Sequence, residues 1–132
     1  MRTGTGESLA MMKKRVLALG LDPAVVDPAV LAPFTAAQVG AFIEAQLARA
    51  RERGYEIESC LVDLGRTAEA SVAQRLDSGP FDCVMFGAGL RAPDSLLLFE
   101  KLLNLVHQRA PGARICFNTT PADSAEAIAR WV

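Results

Sequence analysis

The stretch Arg15–Leu21 reads RVLALGL and contains no polar residue after its first position. An apolar run this short, with no alternation of polar residues, suits a strand covered on both faces. Strands of that kind belong to parallel sheets with helices packed on either side. The neighbouring sequence repeats the pattern. A long loop follows, carrying Asp22-Pro23, Asp27-Pro28 and Ala32-Pro33. Thr35 and Gln38 then form a capping box, flanked by Phe34 and Val39 as a hydrophobic staple. The helix they start presents Val39, Phe42, Ile43, Leu47 and Ala50 as its buried stripe, and Gly54 sits at its end.

Glu56–Asp63 reads as the second strand, and Thr67 caps a short helix running to Asp77. Gly79-Pro80 breaks that helix before the third strand, Phe81–Phe86. A helix from Asp94 to Ala110 ends at Pro111-Gly112, and Arg114–Asn118 is the fourth strand. Thr120, Pro121 and Asp123 open a last helix. Four strands alternating with helices imply right-handed crossovers. The expected fold is an α/β, doubly wound, three-layer αβα domain with four parallel strands in order 2-1-3-4. Residues 13–132 form this single domain, and the polar, glycine-rich residues 1–12 form a flexible N-terminal segment. Met11 and Met12 offer alternative starts to Met1.

This topology resembles that of flavodoxin-like and receiver-like domains across most of the chain. The resemblance implies a doubly wound fold, and it does not extend to the chemistry of those families. The first strand ends Gly20-Leu21-Asp22 and the third ends Gly87-Ala88-Gly89, so the receiver's acidic pair and phosphoacceptor are absent. The flavodoxin phosphate loop after the first strand is absent as well.

Composition narrows the function classes. The net charge is −1, with Lys and Arg spread along the chain, which argues against nucleic acid or an anionic membrane surface as partner. No apolar run reaches the ~20 residues of a membrane span. Three cysteines, an odd number, and no secretory h-region fit a reducing cytoplasm. Arginine outnumbers lysine eleven to three and alanine occurs 22 times, a bias associated with GC-rich bacterial coding. Cys60, Cys83 and Cys116 fall inside strands and read as inert buried thiols. No metal-ligand spacing occurs, and the single histidine, His107, complements the end of its helix.

In an open α/β sheet, ligands bind beyond the carboxyl ends of the strands, where strand order reverses. For order 2-1-3-4 that point lies between the first and third strands. The candidate ligand residues are therefore Asp22, Gly87, Ala88, Gly89, Arg91 and Asn118. Gly87–Ala92 matches G-x-G-x-x-A, in which glycines let backbone N–H groups approach an anion and Arg91 would neutralise it. Against dinucleotide binding, Pro93 and Asp94 place the helix start after the motif. The motif also follows the third strand, and the next strand ends in Asn118 instead of an acidic residue. The expected ligand is a small phosphate- or carboxylate-containing anion. The opposing reading is a tight glycine turn with Arg91 in a surface ion pair. An enzyme using Asp22 or Asp63 with Arg91 and Asn118 is a further alternative, with no cofactor indicated.

Two expectations concern surfaces. The Asp22–Phe34 loop spans thirteen residues where such loops usually have about 2–6. Its prolines and Asp caps predict an ordered wall of short helical turns over the ligand edge. On the Asp94–Ala110 helix, Leu96, Phe99, Leu102, Leu103, Val106 and Ala110 are expected to face the sheet. Leu98 and Leu105 would then be left over, and would be covered by a homodimer or by the final helix.

Overall fold

The computed structural model describes residues 13–132; the expected flexible segment 1–12 and the question of the first methionine lie outside these. The four strands are β1 (Arg15–Leu21), β2 (Glu56–Val62), β3 (Cys83–Phe86) and β4 (Arg114–Phe117). All pairings are parallel and the order is β2-β1-β3-β4, as the alternation of strand and helix required. The helices are α1 (Pro28–Leu31), α2 (Ala36–Glu52), α3 (Ala68–Asp77), α4 (Leu96–Arg109) and α5 (Ser124–Ala129).

Alternation along β1 divides the core. Leu17 and Leu19 point to one face, where they meet Val72 and Leu76 of α3 and Leu102 and Val106 of α4. Val16 and Ala18 point to the other, against Leu47 and Ala50 of α2 and Ala127 and Ile128 of α5. Helices α3 and α4 therefore cover one face, and α2 and α5 the other, giving three layers. Arg49 of α2 and Arg53, the residue that caps its end, both reach Glu126 of α5, at 3.3 and 3.0 Å, and hold the two helices together.

Local signals placed most boundaries. Thr35 and Gln38 form the reciprocal capping box at the start of α2. The staple does not form as expected, since Phe34 is exposed. Phe42 also stands exposed beside the stripe and is not part of it. Thr67 occupies the N-cap position of α3 without a side-chain cap bond, because its hydroxyl donates to Asp63 instead.

Helix α4 departs most from expectation. Two 3-10 turns, Ala88–Arg91 and Pro93–Ser95, precede it, so the helix proper begins at Leu96. Its buried row is Leu98, Leu102 and Val106, with Leu105 packed at the margin of the core, whereas Leu96 and Leu97 are exposed. Leu98 is buried and Leu105 partly buried against the core of their own chain. Among the described residues, no helix is long and apolar enough to cross a membrane.

Candidate functional site

At the carboxyl ends of the strands, on the α2/α5 face, lies a cavity of about 650 Å³. That lies within the range of small-molecule sites, roughly 300–1,000 Å³. It exists because the sheet presents small side chains where α2 presents large ones. Its floor includes Ala18 and Gly20 of β1, with Gly87, Ala88 and Gly89 beyond β3. Its roof is the Val39–Ile43–Leu47 row of α2. A Cβ on Gly20 would come within 3.2 Å of the Leu61 side chain, which closes the β2 side.

The long loop supplies the outer wall, as its sequence predicted. Asp22 caps a 3-10 turn, Pro23–Val25, accepting the Ala24 N–H at 2.9 Å. Asp27 caps α1 in the same way through the Ala29 N–H, also at 2.9 Å. These two Asp-Pro starts turn Pro23, Val26, Val30 and Leu31 toward the cavity.

Four of the six residues expected at a ligand edge line this cavity: Gly87, Ala88, Gly89 and Asn118. Gly87 is needed for close approach, because a Cβ there would stand 3.2 Å from the Leu19 carbonyl oxygen. Its own N–H donates to that oxygen at 2.8 Å, seating the loop on the end of β1. Asp22 is not among the lining residues; besides its cap, its N–H extends the β1–β2 ladder to the Val62 carbonyl at 2.9 Å.

Arg91 lies at the ends of two strands. Its guanidinium donates to the carbonyl oxygens of Phe86 and Asn118, tying the ends of β3 and β4 together. It lies 5.1 Å from the ring centroid of Phe117, which in turn packs edge-on against Phe86 and Phe99. Phe99 belongs to α4, so Arg91 sits on the α4 side of the sheet, away from the cavity. Burial pushes the pKa of its guanidinium down, an effect opposed by Asp123. Among the described residues it straps two strands together and forms no ion pair. Among the described residues, no Lys, Arg or His lines the cavity, and its charged wall residues are Asp27 and Asp94.

Asn118 is 3% exposed. Its Nδ2 donates to Ser124 Oγ at 3.1 Å, and that hydroxyl donates to the Pro121 carbonyl at 2.7 Å. The single hydroxyl proton of Ser124 is thus committed to Pro121, so its oxygen can only accept from Asn118. This fixes the amide orientation and leaves Asn118 Oδ1 buried without a partner among the described residues. A buried acceptor in that state forgoes about 1–3 kcal/mol.

The remaining sequence candidates are structural. Asp63 accepts the N–H groups of Gly65 and Thr67, both at 3.1 Å, and the Thr67 hydroxyl at 2.9 Å. The Thr67 backbone N–H is the largest cause holding its carboxyl below the usual range. Cys83 and Cys116 are buried with their sulfurs 3.5 Å apart. The hydrogen bond between them pushes the Cys116 thiol up and the Cys83 thiol down. Among the described residues, no group of three His, Cys, Asp or Glu side chains is placed to hold a metal. Comparison with family models, curated proteins and solved structures finds no match to this chain.

The cavity lies at the edge to which the strand order points, but Ser124, which orients Asn118, and the α2 row that roofs the cavity were not anticipated from the sequence. Gly20 was the available signal. An isolated glycine inside a strand marks a place where something else approaches the sheet.

Proposed function

We propose that the protein binds a small molecule with an apolar body at the carboxyl edge of its sheet, using the cavity between α2, β1 and the Asp22–Phe34 loop. The observation that carries this reading is Asn118 Oδ1, a buried acceptor lacking a partner among the described residues, on a residue that lines a mostly aliphatic space. A ligand donor delivered by an apolar body would satisfy it, whereas the apolar walls offer bulk water little. Position supports the same reading, since the cavity lies where strand order reverses. The anion expected from Gly87–Arg91 has less support, because the walls carry two carboxylates and no cationic side chain.

The test is thermal denaturation of the full chain with increasing 1-octanol, a neutral apolar probe with one donor. Wild type should be stabilised progressively. Ala88→Leu, which fills the cavity from its floor, should keep its circular dichroism spectrum and lose the stabilisation. Equal shifts in both proteins would show that octanol acts elsewhere and would remove the site.

A further inference from the structure

We propose that the ligand class is an aliphatic amine, bound as its ammonium form; this rests on the cavity being a ligand site, as argued above. Three features of the walls converge on it. The first is shape chemistry. Among the described residues, no aromatic side chain lines the cavity, so they offer no stacking platform for a nucleobase or other flat ring. Its apolar contacts are aliphatic, and they continue outward through Val25, Val30, Leu61 and Leu64, which line it and are exposed at its mouth. A flexible alkyl chain can follow such a surface from the interior to the rim.

The second feature is the polarity of the fixed amide. The Ser124 hydroxyl and Pro121 carbonyl hold Asn118 so that its unpartnered atom is an acceptor. The complementary ligand group must donate. An ammonium carries donors and no acceptor, whereas a carboxylate carries only acceptors.

The third is charge. Asp27 and Asp94 line the cavity, and neither forms an ion pair among the described residues. With no cation on the walls, their field favours a cationic head and opposes an anionic one. An alcohol would satisfy Asn118 but would gain nothing from these carboxylates. An aliphatic ammonium ion matches the chain-like walls, the acceptor and the charge together.

Isothermal titration of the full chain at pH 7 with octylamine, 1-octanol and octanoate separates the classes. Octylamine should bind at least tenfold more tightly than octanol, and octanoate should bind more weakly than either. Raising the salt concentration should narrow the gap between amine and alcohol. The double variant Asp27→Asn, Asp94→Asn should abolish the amine's advantage over octanol, since both positions are exposed and Asn at 27 can still cap α1. Asn118→Ala should weaken amine and alcohol alike. Octanoate binding as tightly as octylamine, or an amine preference that survives the double variant, would overturn the proposal while leaving the site intact. Failure of all three probes to bind would overturn the site reading itself.

Discussion

Replacing Arg91 with alanine separates the strap from the anion ligand. In the folded protein its guanidinium bonds the Phe86 and Asn118 carbonyls and lies over Phe117. Hydrogen bonds to charged groups contribute about 1.5–3 kcal/mol each, and a cation–π contact of this kind about 0.5–1 kcal/mol. Arg91 is half-buried, so water can reach part of the vacated space and recover some of the loss. A net cost of about 2–3 kcal/mol follows. For a chain of 132 residues this corresponds to a fall in Tm of roughly 10 °C. Arg91→Lys should recover less than half, because an ammonium cannot span two carbonyls as a planar fork does. The assay is thermal and urea denaturation followed by circular dichroism, repeated with phosphate and acetate present. A variant of unchanged stability that had lost a stabilising response to those anions would refute the strap and restore the anion ligand.

Further outcomes follow from the same geometry. Leu98→Glu places a charge in the core and should unfold the protein or cost about 3–5 kcal/mol, whereas Leu97→Glu should change stability by less than about 0.5 kcal/mol; urea melts measure both. Asp63 and Asp123 have folded pKa values held below their ordinary ones, chiefly by the Thr67 N–H and the Thr119 hydroxyl respectively. Their contribution is therefore complete above the ordinary carboxyl range, near pH 3.9, and is lost as pH falls through their lowered values. Asp63→Asn and Asp123→Asn should each flatten the acid limb of a pH–stability profile and leave its slope near pH 7 unchanged. Hydrogen exchange should show protection at Val25, Val30 and Phe34, whose amides are bonded within the long loop, and exchange there at free-peptide rates would contradict an ordered wall.

What could be read from the sequence follows the range of each interaction. The β1 run, the Asp-Pro caps and the Thr35–Gln38 box involve neighbours in the chain, and each is found where local chemistry places it. The phase of α4 was legible but misjudged: Glu100, Lys101, Asn104, His107 and Gln108 form one exposed polar stripe, and Leu98, Leu102 and Val106 lie opposite it. Its rotation is set by the two 3-10 turns before it and by its packing on α3. The partners of Arg91 were not legible. Its partners are the carbonyls of Phe86 and, 27 residues away, Asn118, and no spacing rule relates an arginine to the end of a neighbouring strand. The glycines were assigned to an anion when their immediate role is to let the Gly87–Gly89 turn pack against β1. The cavity itself is a difference between two surfaces, small residues on the sheet and larger ones on α2, and becomes visible only when both are placed in space.

The central claim, that the space beside Asn118 receives a ligand, is met most directly by ¹H–¹⁵N NMR of the full chain titrated with octylamine. The expected result is saturable shifts confined to the Asn118 side-chain amide and the backbone amides of Gly20, Gly87, Ala88 and Val39, all at the cavity. Shifts scattered over exposed leucines such as Leu96 and Leu97, or centred on the opposite end of the sheet near Asp77 and Arg109, would contradict it.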